Sequence, residues 1–582
     1  MRNPGYVLLT TLLGLVLLTL LAAIYLTTSL NSPRTARANA DSLAGFLAAE
    51  GGLNMRAALI REKFIGFERP SGTSPGDPAT ACRGTALGSG DFACQRYSLG
   101  GRAVMTFVRE TTRNPDGDSG TVAEGERYAG LGFQQYSYRV NSEATLGAER
   151  EATVQMEFQS RLVPLFQFAA FYAQDLEINP GPDMTLNGRV HTNGNLYLSP
   201  EAKLRITGKV SAQGSIYRTR KDRAGCSSGA GTVQFGDSAP LGCLGGALSD
   251  TQLSAYQGQV LAGQPGLTVP SMGSLDPDPT GSLGNELWAK ADLRIVARKS
   301  ALSPTGFVLL VQDARGVTDG AATAALSSCA LSSSAITFNS SFYDAREGRN
   351  IQMMNVNQQQ LMNCLQGSAA FRDAAGNRLT VGDTTNGGLA LHFSFDPPGG
   401  QYGVRLTNAA TLGTSGGVQP QGLTIATNQP LYVQGDYNAN GKVPASLLAD
   451  AINILSNAWQ DTDKTASTPS VSTAALKASP TTVNAAFLAG IVPTQGSSYS
   501  GGLENYPRFH ENWTGVTFTY TGSFVSLGPS RYGVGRWAGG GNRYEAPTRN
   551  WAFDESFRNA GQLPPLTPRF VYLRQLFFAR DF

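Results

Sequence analysis

Residues 6–26 read YVLLTTLLGLVLLTLLAAIYL and contain no charged side chain. The surrounding sequence is also uncharged, from Asn3 to Pro33. A helix rises about 1.5 Å per residue, so this run is long enough to cross a hydrocarbon core of about 30 Å. The rest of the 582-residue chain is polar and rich in glycine. The sequence therefore predicts one membrane helix near the N-terminus that carries a large head.

Three interpretations of this helix are open. It could be a cleaved secretory signal, since Ala38-Asn39-Ala40 is similar to a signal-peptidase site, but its apolar core is unusually long for one. It could be an uncleaved anchor. It could also be the first half of a longer helix, because more apolar residues fall near one helical face beyond it: Leu43, Phe46, Leu47, Leu53, Ala57 and Ile60. An anchor needs no such second half, so the pattern favours the third interpretation.

The blocks Gly5-Tyr6-Val7-Leu8-Leu9 and FLAAEGGL at 46–53 resemble the PilX-like, tip-type minor pilins of type IV pili. The second block is similar to the AAExGL signature of that family. The resemblance implies that residues 1–5 are a leader and that prepilin peptidase cuts between Gly5 and Tyr6. It also implies insertion in the inner membrane, assembly with other minor and major pilins, and a head at the pilus tip or cell surface.

Thr10 departs from the pattern of the major pilins. Those proteins carry Glu at the fifth mature position, and counting from Tyr6 that position is Thr10 here. In the family this Glu pairs with the N-terminal amine of the subunit above. A subunit without it suits the tip, where no subunit lies above, and an unpaired carboxylate in lipid is costly. The alternative is an anchor that never assembles.

Composition and cysteine spacing favour an exported, β-rich head. The chain has 68 glycines, only 15% charged residues and a net charge of +3, so no overall basic field indicates nucleic acid. Its six cysteines fall in three sequential pairs, which predicts three disulfides in an oxidising compartment. No C-x-x-C motif is present, which argues against a zinc knuckle. The predicted pairs are Cys82 with Cys94, Cys226 with Cys243, and Cys329 with Cys364.

The predicted fold class is α+β, with the long transmembrane helix packed on an antiparallel pilin sheet and a large β-solenoid-like insertion. The repeat LNGRVHTNGNLYL at 186–198 and ITGKVSAQGSIYR at 206–218 has a period of 20 residues, which is typical of solenoid coils, although a β-meander is the alternative. Short helices are predicted at 165–177 and 444–461. The predicted parts are a leader (1–5), the helix (6–66), the first part of the head (67–182), the insertion (183–440) and a C-terminal α/β part (441–582).

No catalytic or metal-binding motif is recognisable, so we expect a protein without enzymatic activity, cofactor or metal. The three histidines, His191, His392 and His510, have no partner at metal or triad spacing and are interpreted as structural. The run Asp436–Gly441 is similar to the start of a calcium loop, but Leu447 replaces the bidentate Glu. A membrane-anchored β-helix enzyme acting on polysaccharide is the alternative, and it needs acidic residues clustered with Lys or Arg in a groove.

Basic residues concentrate in and after the two repeats. Stacked coils could align these side chains at phosphate spacing, which suggests an edge that binds double-stranded DNA, although a solvated surface has the same composition. The resemblance strengthens the DNA hypothesis, because competence-associated minor pilins are implicated in DNA binding at the pilus tip. Adhesion to surfaces or cells is the alternative role. The candidate residues are Arg189, Lys203, Arg205, Lys209, Arg218, Arg220, Lys221 and Arg223.

Overall fold

The computed structural model describes residues 4–65, 70–76, 80–112, 114, 117–227, 231–373, 376–467, 476–537 and 543–581. Its first element is one long helix, α1 (Pro4–Ile65). The segment Leu8–Leu26 is long and apolar enough to cross a membrane, and none of it is buried in the head. Of the predicted leader, residues 1–3 lie outside the described residues.

The second half of α1 packs on an antiparallel sheet. The strands of this part are β1 (Gly72–Thr73), β2 (Ser89–Gly90), β3 (Gln95–Leu99), β4 (Arg102–Glu110), β5 (Asp118–Thr121), β6 (Gly132–Leu146) and β7 (Glu149–Pro164). In the sheet, β3, β4, β6 and β7 lie next to one another in that order, and β5 pairs with β6. Strands β1 and β2 form a separate two-stranded sheet.

Gly52 allows α1 to approach this sheet closely. A Cβ atom at this position would lie 2.5 Å from Cγ1 of Val104, so any larger residue would push the helix away. Ala49 and Leu53 on the same helical face are fully buried in a cluster that includes Val140 of β6. The second half of the helix therefore packs on an antiparallel sheet through Leu53, Ala57 and Ile60, as predicted, whereas Leu43 and Leu47 of the predicted face are exposed.

The next strands are short and pair in parallel. Val190 pairs with Ala170 before it and with Val210 after it, so the 20-residue period of the sequence is also the offset between neighbouring strands. The same offset joins β12 to β9 and β10 to β13, in two further sheets. This parallel pairing excludes the β-meander. The strands are β8 (Ala170–Tyr172), β9 (Leu176–Ile178), β10 (Met184–Leu186), β11 (Val190–Thr192), β12 (Leu196–Leu198), β13 (Lys203–Ile206), β14 (Val210–Ala212), β15 (Ile216–Tyr217), β16 (Thr232–Phe235) and β17 (Val260–Leu261).

The middle of the chain extends the parallel sheets with longer strands. These are β18 (Leu293–Lys299), β19 (Phe307–Gln312), β20 (Ile336–Asp344), β21 (Arg349–Asn357), β22 (Leu389–Asp396), β23 (Tyr402–Thr407), β24 (Leu423–Thr427), β25 (Pro430–Gln434), β26 (Ala445–Ala449) and β27 (Ala451–Leu455). The α-helices described in this part of the chain are α2 (Asp250–Ser254), α3 (Glu286–Ala289), α4 (Gly320–Ser333) and α5 (Gln358–Gly367).

The C-terminal strands complete both the parallel and the antiparallel sheets. They are β28 (Thr481–Asn484), β29 (Ala486–Ile491), β30 (Arg508–Phe509), β31 (Thr517–Gly522), β32 (Phe524–Pro529), β33 (Thr548–Phe553) and β34 (Arg569–Asp581). The largest sheet has the order β17-β14-β11-β8-β32-β29-β26-β24-β22-β18-β19, and a second has the order β20-β21-β23-β25-β27-β30. Short 3-10 turns occur at Leu165–Gln167, Met272–Leu275, Thr385–Gly387, Leu503–Asn505, Glu555–Arg558 and Ala560–Gln562.

Both predicted short helices are wrong. Residues 165–177 form a single 3-10 turn followed by β8, and residues 444–461 form β26 and β27. Every residue of β26 and β27 is buried, because other strands flank them and side chains cover both faces. A strand buried on both faces has a continuous apolar run, which its sequence alone does not distinguish from a buried helix.

The sheets do not follow the boundaries predicted at 182/183 and 440/441. β8 of the parallel stack begins at Ala170, and it pairs on its other side with β32, whose Phe524 lies opposite Ala170. The C-terminal part is therefore not a separate α/β unit, since its described residues form strands and 3-10 turns within the same stack. β34 then returns to the antiparallel sheet by pairing with β7.

The three predicted cysteine pairs are disulfide-bonded in the structure. Cys82–Cys94 closes a loop before β3, Cys226–Cys243 closes a loop after β15, and Cys329–Cys364 joins α4 to α5. Their partners are separated by 12, 17 and 35 residues, so each bond restricts a local loop. Such bonds require an oxidising compartment, which is consistent with a periplasmic or extracellular head.

Candidate functional site

Two of the predicted DNA-binding residues lie side by side. Arg189 and Lys209 precede β11 and β14, whose first residues pair in parallel, and both line a shallow groove with Arg127. The Arg189 guanidinium donates to the carbonyl of Ala129, and burial lowers its pKa. Arg127 was not recognised in the sequence because it is about 60 residues away from the repeats, in the chain before β6.

Lys203 and Arg205 belong to a different sheet. Both are on β13, which pairs with β10 and β16, whereas Arg189 and Lys209 flank strands of the largest sheet. Arg205 forms an ion pair with Asp237 at 2.8 Å, while Lys203 is exposed. The repeat thus distributes its basic residues over separate faces of the stack.

Arg218 is a buried structural residue. Its side chain is 1% exposed, and its three nitrogens donate to the carbonyls of Leu198, Gly231 and Gly242. The guanidinium therefore holds the Cys226–Cys243 loop against the preceding coil. It cannot contact DNA, so the prediction for this residue is wrong.

The remaining basic residues near the second repeat are mostly neutralised. Arg220 pairs with Asp222 at 2.7 Å and lies 4.2 Å from the ring centroid of Tyr499. Lys221 pairs with Asp175 at 2.9 Å. Within the described residues, the exposed or half-buried candidates without a carboxylate partner are Arg189, Lys203, Lys209 and Arg223. The predicted continuous basic edge is therefore not present.

The three histidines are buried. Burial lowers the pKa of each to about 4, so the rings are neutral at physiological pH. His392 Nε2 lies 3.0 Å from the carbonyl oxygen of Leu275, and His510 Nε2 lies 3.0 Å from Oδ1 of Asn453. His191 is stacked on a phenylalanine ring, with centroids 5.4 Å apart. His191 Nδ1 also lies 2.7 Å from Oγ of Ser211, and its Nε2 lies 3.1 Å from Oδ1 of Asn193.

The run Asp436–Gly441 forms a structural turn. Asp436 accepts a hydrogen bond from the backbone N–H of Thr482, and the Asn438 side chain donates to the carbonyl of Val443. Across the described part of the chain, no group of three or more His, Cys, Asp and Glu side chains is arranged to hold a metal ion. The resemblance to a calcium loop thus reflects turn geometry.

A polar cavity of about 400 Å³ lies between residues 172–177 and the C-terminal segments 490–494 and 500–508. Its charged lining includes Asp175, Glu177, Lys221, Arg346 and Arg508, which come from four distant parts of the chain. Acidic residues together with Lys and Arg are what the polysaccharide-enzyme alternative requires. This cavity could not be predicted from the sequence, because the separate segments that line it contain no recognisable binding motif.

Comparison with known proteins gives structural similarity only. No family model matches the chain, and no curated protein matches it. Among solved structures, the chain is similar to the competence-associated pilin ComZ from Thermus thermophilus, with 13% sequence identity, coverage of 93% of this chain and 98% of that chain, and a TM-score of 0.26.

Proposed function

We propose that this protein is a non-catalytic minor pilin of the tip class, with a solenoid-like head that binds an extracellular ligand. The observation that carries the proposal is the division of α1 into two halves. Leu8–Leu26 is apolar and fully outside the head, whereas the second half is buried against an antiparallel sheet. A helix built in this way both anchors the subunit and belongs to its fold.

An exposed apolar patch near the membrane end of the head supports contact with other pilins. Leu43 and Leu47 of α1 are each 56% exposed, and Phe577 of β34 is 52% exposed. Phe46 and Phe578 connect the two elements, with ring centroids 6.1 Å apart. Exposed apolar groups of this kind mark interaction surfaces. Neighbouring subunits in a pilus would cover this patch.

Processing by prepilin peptidase should leave Tyr6 as the mature N-terminus. The proposed cut lies between Gly5 and Tyr6, where the apolar run begins. N-terminal sequencing of protein extracted from membranes of a host with an active peptidase would check this prediction. A Gly5→Arg variant should keep its leader, and Thr10→Glu should still be cleaved. An intact Met1 in the unmodified chain, or a start near Ala40, would contradict the pilin proposal.

We propose that the ligand is double-stranded DNA and that it contacts basic residues that have no carboxylate partner. The triple variant Lys203→Gln, Lys209→Gln, Arg223→Gln should bind DNA more weakly and with a flatter salt dependence. Each lost phosphate contact removes about 0.9 from the slope of log K against log salt concentration. The measurement is the affinity of the full-length protein in detergent for a fluorescent duplex over a series of salt concentrations.

A second triple variant controls for net charge. Lys299→Gln, Arg372→Gln, Arg378→Gln removes three exposed basic residues from other parts of the head and should leave the salt slope unchanged. If the first triple variant binds like the unmodified protein, DNA is not held by these residues, and the adhesin alternative becomes the better interpretation. Equal losses in both variants would indicate an unspecific charge effect.

A further inference from the structure

The polar cavity has the size and composition of a small-molecule site. Its volume of about 400 Å³ lies within the range of about 300–1,000 Å³ that is usual for ligand pockets. One wall is the connection from β8 to β9, residues 172–177, and another is formed by residues 490–494 after β29 and by 500–508. Lys221 and Arg346 complete the charged lining. Neither the membrane anchor nor the proposed DNA-binding residues explain this cavity.

Two oxygen atoms of the first wall lack hydrogen-bond partners. Glu177 is 5% exposed, and its Oε2 accepts from the hydroxyls of Thr494 and Ser500. Its Oε1 has no partner in the described part of the structure, and the same holds for the hydroxyl of Tyr172, which is 2% exposed. Buried polar atoms are normally hydrogen-bonded, so these two favour a ligand rich in hydroxyl groups.

Arg346 supplies a positive charge that no carboxylate neutralises directly. Its Nε donates to the carbonyl of Gly535 at 2.9 Å, and no ion pair with it occurs among the described residues. The other arginine of the cavity, Arg508, is already paired with Glu347. Burial, with the nearby charge of Arg508, lowers the pKa of Arg346 to about 9. A poorly neutralised guanidinium in a cavity favours an anionic group on the ligand.

The size and polarity of the cavity exclude other classes of ligand. A nucleic-acid duplex is too large for a volume of about 400 Å³. The polar lining does not suit an acyl chain.

We propose that the cavity binds one acidic sugar unit of an extracellular polysaccharide, with its carboxylate on Arg346 and its hydroxyl groups on Glu177 and Tyr172. This site is separate from the proposed DNA-binding residues, and it does not depend on assembly into a pilus. A single sugar unit fits the limited volume, and neighbouring units of the polysaccharide would extend from the mouth of the cavity.

Isothermal titration calorimetry on the full-length protein in detergent tests the proposal. The probes are short oligomers of galacturonic acid and of glucuronic acid, with carboxyl-reduced oligomers of the same length and linkage as neutral controls. We expect the acidic oligomers to bind at least about tenfold more tightly than their neutral counterparts, as the loss of one charged hydrogen-bond partner predicts. Equal affinities, or no binding of any oligomer, would overturn the proposal.

Two substitutions separate the roles of the lining residues. Arg346→Gln should abolish the preference for the acidic oligomer, and Glu177→Gln should weaken the acidic and the neutral oligomers alike. If Arg346→Gln does not fold, as judged by its thermal unfolding, Arg346→Lys keeps the charge and should retain part of the preference. Unchanged binding by the Glu177→Gln variant would contradict the site.

The variant that lacks Lys203, Lys209 and Arg223 provides the independent control. It should bind acidic oligomers as the unmodified protein does, even if its DNA affinity is lost, because all three residues lie outside the cavity. Loss of sugar binding in this variant would show that the oligomers bind to the basic surface as simple polyanions, and it would overturn the proposed cavity site.

Discussion

Replacement of Arg218 by methionine is expected to lower the free energy of unfolding by about 3–5 kcal/mol. The guanidinium donates to the carbonyls of Leu198, Gly231 and Gly242 in an environment where the side chain is 1% exposed. Methionine fills similar volume but leaves three buried acceptors without donors, each at a cost of about 1–3 kcal/mol before relaxation. Urea denaturation of the full-length protein in detergent would measure the change.

Arg223 provides the matched control for this experiment. It lies five residues away and is exposed, so Arg223→Met should change the free energy of unfolding by no more than about 0.5 kcal/mol. Identical unfolding midpoints for the Arg218→Met and Arg223→Met variants would contradict the buried role of Arg218. Such a result would return Arg218 to the set of candidate DNA-binding residues.

The second large effect is expected at Asp450, between β26 and β27. This residue is fully buried, and its carboxylate accepts backbone N–H groups from Arg531, Tyr532 and Gly533 at 2.6–2.8 Å. Asp450→Ala removes all three hydrogen bonds and loosens the attachment of the segment after β32 to the stack. The expected loss is about 3–4 kcal/mol of unfolding free energy, since hydrogen bonds to a charged group contribute about 1.5–3 kcal/mol each and the freed loop regains some hydration.

Asp396 serves as the comparison for Asp450. It forms a surface ion pair with Arg298, and both side chains are about half exposed. Such pairs contribute about 0–1 kcal/mol, so Asp396→Ala should have little effect on the unfolding midpoint. If Asp450→Ala proves as mild as Asp396→Ala, the loop after β32 does not depend on this carboxylate.

The candidate DNA-binding surface shows how far a linear pattern can mislead. The eight basic residues are close in sequence, but Arg205, Arg220 and Lys221 meet carboxylates in the fold and Arg218 points into the interior. Asp175 reaches Lys221 across a gap of nearly 50 residues, because strands offset by 20 residues lie side by side over successive repeats. Local charge density therefore could not reveal which residues remain unpaired.

The cavity that we propose binds an acidic sugar could not be predicted from the sequence, for a related reason. Glu177 and Arg346 are separated by more than 160 residues, and neither lies in a motif. The pairing of β8 with β32 places residues 172–177 beside the C-terminal strands, and residues far apart in the chain line the cavity. Such long-range pairing leaves no local signature in the sequence.

The sequence by itself determined the features that depend on neighbouring residues. The uncharged run at 6–26 predicts a helix of membrane length, Leu53, Ala57 and Ile60 mark the helical face that packs on the sheet, and the 20-residue repeat sets the offset between paired strands. The sequential cysteine pairs also match the disulfides. In each case the decisive interaction has a short period or a short loop, so the pattern can be read along the chain.

Only the tertiary structure decided between helix and strand at 165–177 and 444–461, and only it decided which charges are free. A short apolar run satisfies either a helix or a strand buried on both faces, and the neighbouring strands that supply hydrogen bonds to β26 and β27 select the strand. Burial likewise turns Arg218 from a surface charge into an internal donor. These outcomes depend on contacts between residues far apart in sequence, which no local pattern records.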